Sequence, residues 1–190
     1  MAFKIIGFIS ILFLAPTIAL DWKGGVRDEF VISFDANKDP CTEDALESGF
    51  GIKYRFKVAA CQAKVGWRSD CGKALSKIHD IKYDPVMERY KVTIDTLNDD
   101  LEPRSVTFEN KDEALRFAST IDSVTIQDLQ RNSPKLRLST RSNDFFVRVR
   151  VNSECKGGFR EALSWIPYLI SFGIIDRKDY DSGWQEFNLR

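Results

Sequence analysis

Residues 51–58 read GIKYRFKV, and their alternation decides the fold. Ile52, Tyr54, Phe56 and Val58 fall on one side of an extended chain, with Lys53, Arg55 and Lys57 on the other. This period of two is that of a strand with one face buried. The same pattern recurs outward in both directions. Upstream, Phe30, Ile32 and Phe34 alternate; downstream, ERYKVTID sets Tyr90, Val92 and Ile94 on one face, and FFVRVRV does so with Phe145, Val147, Val149 and Val151. KLRLS, with Leu136 and Leu138 inward, Arg104–Phe108 and the closing WQEFNL add shorter strands, and Asp84-Pro85 marks a turn.

Helices fall between these strands. Asp39-Pro40 has the form of an N-cap followed by proline at the first helical position, with Glu43 and Asp44 in the first turn and Gly49 as the stop. Asn110 and Glu113 form a capping-box pattern ahead of a stripe of Ala114, Leu115, Ala118 and Ile121. Phe159–Trp165 suits a further helix, ended by Pro167. The expectation is a mainly β chain, an antiparallel sheet or β-sandwich with two or three packed helices. Neither G-x-G-x-x-G nor a Walker phosphate loop occurs.

The first residues, MAFKIIGFISILFLAPTIALDW, have the layout of a secretory leader. Lys4 precedes an apolar run, Pro16 breaks it, and Thr17 and Ala19 are small residues before a cleavage point after Ala19. The run is shorter than the ~18 residues needed to span a bilayer. A leader over 1–19 and a single exported β-rich domain over 20–190 follow, periplasmic or secreted, with no stable membrane span after cleavage. Loss of Lys4 with the leader leaves 27 cations against 28 anions. Such a balance gives no polycation for nucleic acid.

Export makes the cysteine count informative. Four cysteines in an oxidising compartment read as two disulfides. The favoured pairing is Cys61–Cys71 as a local loop, with Cys41–Cys155 tying the early chain to the late chain. In the loop-entropy view these contribute about 3 and about 5 kcal/mol. The sole histidine, His79, leaves zinc and Cys–His chemistry without ligands or a spare base, so no metal or cofactor is expected. Asp35, Asn37 and Asp39 match EF-hand positions one, three and five. Pro40, however, stands where glycine is needed and Leu46 where the bidentate glutamate belongs. A capped turn explains the same residues.

No catalytic motif stands out. His79 adjoins Asp80, but neighbours on a strand point apart, so a surface or satisfied structural histidine is expected. Carboxylates near Asp84, Asp95 or Asp99 keep open the rival reading of an envelope hydrolase. The stronger pattern is collective. Outward positions of the strands are repeatedly basic: Lys53, Arg55 and Lys57; Arg89 and Lys91; Lys135, Arg137 and Arg141; Arg148 and Arg150. Like charges on neighbouring strands require anions to answer them, from within the chain or from outside. An external answer means an envelope membrane protein or an anionic lipid or glycan. Aromatic residues Tyr83, Tyr90, Phe145 and Trp184 and the apolar WIPYLISFGII suit a core better than a ligand platform.

In sequence order, EDALESGFGIKYRFKV, YDPVMERYKV, FENKDEAL, FFVRVRV and DSGWQEF resemble a family of uncharacterised proteobacterial exported proteins, a domain of unknown function. Some of its members are encoded near a nitrogen-regulation type sensor kinase. The resemblance implies an envelope role alongside signalling and brings no catalytic residues; the leading expectation is a non-enzymatic exported binding or accessory module. The four cysteines depart from the general family pattern.

Overall fold

The computed structural model describes residues 16–23, 28–39, 41–42, 46, 51–63, 69–96, 102–134, 145–156 and 179–188. Within them lie strands β1 (Ile18–Lys23), β2 (Glu29–Phe34), β3 (Gly51–Ala63), β4 (Ser69–Cys71), β5 (Leu75–Asp84), β6 (Arg89–Thr96), β7 (Arg104–Phe108), β8 (Thr120–Thr125), β9 (Phe145–Lys156), β10 (Tyr180–Asp181) and β11 (Gln185–Asn188). Helices α1 (Lys111–Ala118) and α2 (Ile126–Asn132) flank β8, and a 3-10 turn covers Ala36–Lys38. All pairings are antiparallel. One sheet has three strands in the order β1-β2-β8. The other has eight: β10-β9-β3-β5-β6-β7 in a row, with β11 also on β9 and β4 also on β3. The expected mainly β, antiparallel architecture is what forms.

The alternating strands assemble the core. Ile52, Tyr54, Phe56 and Val58 of β3 are buried with Val147, Val149 and Val151 of β9, while Phe30, Ile32 and Phe34 face them from the small sheet. Phe34 spans the layers, with its ring 5.7 Å from that of Tyr54 and 5.7 Å from that of Tyr180. Each such fully buried side chain stabilises the fold by roughly 1.5–3 kcal/mol relative to exposure. Gly51 opens β3 where it nears β5: a Cβ there would sit 3.0 Å from the Ile81 carbonyl oxygen and 3.0 Å from Lys82 Cγ.

Helix α1 is short because its ends are specified. The Asn110 side chain accepts from the Asp112 and Glu113 amides, satisfying two of the free donors at its start. The helix stops at Ala118, so Ile121 lies in β8 and not on the helical stripe. Ile121 is buried all the same, as a core-facing residue of β8 paired with Ile32 of β2. In α2, Thr125 and Asp128 form a reciprocal capping box.

Two further results bear on the sequence expectations. Cys41 and Thr42 are helical, and Asp39 Oδ1 accepts from the Cys41 amide at 3.0 Å, so Asp39 acts as the expected cap. Asp35 instead pairs with Lys38 at 2.9 Å. Strand β1 begins at Ile18, so the Ala19–Leu20 junction lies within a paired strand, Ala19 opposite Ser33. The expected strand at KLRLS, the helix at 159–165 and all of WIPYLISFGII lie outside the described residues.

Candidate functional site

Strand register decides whether the basic positions meet. Antiparallel pairing sets Lys57 opposite Arg150, Ala59 opposite Arg148, and Lys53 opposite Glu154. On the other flank of β3, Lys53 faces Asp80 of β5, and Lys82 of β5 faces Lys91 of β6. Lys53, Arg55, Lys57, Lys82, Arg89, Lys91, Arg148 and Arg150 therefore share the outer face of the large sheet, away from the core. Lys135, Arg137 and Arg141 lie outside the described residues.

The arginines are largely answered from within the chain. Arg148 donates from Nε to Glu186 Oε1 at 2.8 Å and from Nη2 to the same oxygen. Arg150 donates to both oxygens of Asp181, Nε at 2.8 Å. Arg55 meets Glu154 at 3.4 Å and Arg89 meets Glu109 at 3.3 Å. These acids come from β9 itself, from the segment beside β7, and from the terminal DSGWQEF. That last segment is a clasp on β9. The Arg150 guanidinium holds the Asp181 carboxyl well below the usual carboxylate range, Ser182 Oγ accepts from the Val151 amide at 2.9 Å, and Gly183 takes a φ of 65° that suits glycine.

The lysines differ. Among the described residues, Lys53, Lys57, Lys82 and Lys91 take part in no ion pair. Lys82 and Lys91 are both exposed and directly opposed near the tip of the β5–β6 hairpin. Asp84 caps that tip, its Oδ1 accepting from the Val86 amide at 2.9 Å and the Met87 amide at 3.2 Å. The turn presents Val86 at 87% and Met87 at 62% exposure, the two most open large apolar residues described. The side chain of Asp84 is thus taken up by its own turn, Asp95 lies on the outer face opposite Ile78, and Asp99 lies outside the described residues. Lys82 and the apolar tip were missed from sequence, although SKIHDIKYD carries Lys82 in phase with Asp80 and Asp84.

Of the two expectations for His79, surface or structural, the structural one holds. It is 3% exposed, its Nδ1 lies 2.8 Å from the Ala118 carbonyl oxygen, and its ring packs 5.3 Å from that of Phe56. Burial pushes its pKa down to about 4, leaving a neutral ring whose Nδ1–H donates to the end of α1. Tyr83 and Tyr90 pack with their rings tilted and centroids 4.9 Å apart and Phe145 is buried, whereas Trp184 is exposed. No group of three or more potential metal ligands occurs among the described residues, and no helix among them is long and apolar enough to cross a membrane.

Both expected disulfides are present. Cys41 and Cys155 join with Cα atoms 5.4 Å apart across 114 residues of sequence. Cys61 and Cys71 join β3 to β4, their Cα atoms 4.1 Å apart. Residues 25–155 match the family described as Domain of unknown function (DUF4390), and the chain belongs to that family. No curated protein and no solved structure matches it significantly.

Proposed function

We propose that this member of the DUF4390 family is a non-enzymatic exported binding module whose outer sheet face engages an anionic envelope ligand through the β5–β6 hairpin. The observation that carries this reading is the opposed pair Lys82 and Lys91, exposed and without an acid partner among the described residues, immediately behind the exposed Val86 and Met87. Two ammonium groups side by side raise each other's energy unless an anion joins them. An apolar tip ahead of lysines is the arrangement that suits a headgroup layer over acyl chains. Lys53 and Lys57 extend the same face towards β9. The leader-like start and the two disulfides support a periplasmic or secreted location.

The test is sedimentation of the purified chain with vesicles of phosphatidylglycerol or phosphatidylcholine, paired with photo-crosslinking in cells from position 86. Binding to the anionic vesicles alone, reduced roughly thirtyfold by Lys82→Gln with Lys91→Gln, is expected, since each lysine at such a surface contributes about 1 kcal/mol. Reproducible crosslinking to one envelope protein without vesicle binding would reassign the hairpin to an accessory role on that protein. Neither binding nor adduct would sink the reading and return attention to a hydrolase.

A further inference from the structure

The two disulfides sit in opposite surroundings, and the difference has chemical content. Cys41 is fully buried, beside the N-cap Asp39, and closes a link of 114 residues. Cys71 is exposed on β4, a strand of three residues that is exposed throughout and pairs only with β3. Its partner Cys61 is wholly buried and directly opposite in register. The link spans only 10 residues, so its opening forfeits less loop-closure stabilisation than the long link would and leaves the main ladder of β3 with β5 and β9 in place.

A cation waits at the exposed sulfur. Arg148 Nη1 lies 3.6 Å from Cys71 Sγ. The guanidinium is held there by Glu186, through Nε at 2.8 Å, and stands over the Phe146 ring with its carbon 5.5 Å from the centroid. Glu186 uses Nε and Nη2, leaving Nη1 directed at the sulfur. In thiol–disulfide exchange the negative charge is spread over three sulfurs in line, and a fixed cation beside the attacked sulfur lowers the cost of that charge.

We propose that Cys61–Cys71 is a thiol–disulfide exchange site, attacked at Cys71 by an external dithiol, with Arg148 as the positioning cation. The incoming thiolate bonds to Cys71 Sγ, the Cys61–Cys71 bond breaks, and Cys61 leaves as a thiolate that takes up a proton. The second thiol of the donor then attacks the sulfur that the donor shares with Cys71. It releases Cys71 and leaves the donor with a disulfide. Two electrons and two protons pass to the chain. Attack on Cys61 is closed by burial, so the mixed intermediate is carried by Cys71. Opening frees β4 from its covalent tie while Cys41–Cys155 keeps the early and late chain together.

The full-length folded chain is treated with dithiothreitol, quenched with an alkylating reagent over time, and mapped by mass spectrometry. Cys61 and Cys71 are expected to become labelled together while Cys41 and Cys155 remain joined, which makes the second disulfide an internal control for unfolding. Arg148→Gln is expected to slow opening at least about fivefold, the effect of a unit charge near 4 Å in a water-like medium. Glu186→Gln, which keeps the cation and removes its counter-charge, is expected to speed it. A single-turnover trap with a C-x-x-C dithiol protein lacking its second cysteine should accumulate an adduct on Cys71. Simultaneous opening of both disulfides, prior opening of Cys41–Cys155, an unchanged rate in both variants, or an adduct on Cys61 would each overturn the proposal.

Discussion

Arg150 donates from Nε to Asp181 Oδ1 at 2.8 Å and from Nη2 to Oδ2, joining β9 to the edge strand β10 across the outer face. The same carboxylate accepts from the Gly183 amide at 3.0 Å, so one acid answers a cation of the sheet and sets the turn that follows β10. This division of labour separates the basic face into arginines that fasten the clasp and lysines that remain available.

The clasp should therefore loosen without loss of the sheet. Asp181→Asn is expected to raise hydrogen exchange at residues 180–183 while β3 and β9 stay protected. Because the folded Asp181 carboxyl is held below its ordinary 3.8, its contribution is complete above that pH and is lost as pH falls below it. Hydrogen exchange at pH 6 and pH 3 should show the wild-type clasp approaching the variant only at the lower pH.

His79 gives a second, higher window. Its folded pKa is about 4 against an ordinary 6.5, so the neutral ring favours the folded state fully above 6.5. That contribution, about 3 kcal/mol for a shift of this size, is lost as pH falls from 6.5 towards 4. Denaturant titrations across that range should show the decline, and His79→Gln should flatten it while costing stability at pH 7. A pH-independent wild type would remove the buried neutral ring from the account.

How much of this was legible follows from the physics of each signal. The strands β3 and β9 declared themselves because a buried face and a wet face alternate residue by residue, and the disulfide pairing followed from four cysteines in a presumed exported chain. The partners Glu186 and Asp181 did not, since they reach Arg148 and Arg150 through strand register from more than 30 positions away. Ile121 continued the helical period of α1 although Ser119 had already ended the helix. Ile18, Leu20 and Trp22 of β1 were hidden because their apolar character merges with the leader run. Three-residue β4 is too short for any period to show.

That hidden strand has a measurable value. Ile18 is buried, the Thr17 carbonyl accepts from the Asp35 amide at 3.0 Å, and the Pro16 carbonyl accepts from the Tyr180 hydroxyl at 3.1 Å. A chain starting at Leu20 is expected to be less stable than one starting at Pro16 by about 2.5–6 kcal/mol, the value of one buried isoleucine and two hydrogen bonds. Equilibrium denaturation of the two chains measures it directly. Equal stability would mean that β1 pairs with β2 without drawing on residues 16–19.

Asp39 supplies the last prediction, because its two jobs pull in opposite directions. Its Oδ1 accepts from the Cys41 amide at 3.0 Å and from Ser153 Oγ at 3.0 Å, while Oδ2 has no hydrogen-bond partner of good geometry among the described residues. Burial raises its pKa above the ordinary 3.8, and the Tyr54 hydroxyl is raised first by its own burial and then by the Asp39 charge. An acid whose folded pKa is raised gives its full stability below the unfolded value and loses it as pH rises through the folded one. Asp39→Asn keeps the capping oxygen and removes the buried charge, so it should match or exceed the wild type at pH 7, with the advantage shrinking to nothing below about pH 3.8. Asp39→Ala loses the cap and the bond to Ser153 together and should cost about 1–2 kcal/mol below about pH 3.8, and less at pH 7, where the buried charge goes with it. Denaturation of both variants at pH 7 and pH 3.5 distinguishes the roles: an asparagine variant as weak as the alanine one would show that the carboxylate charge itself holds this corner of the fold.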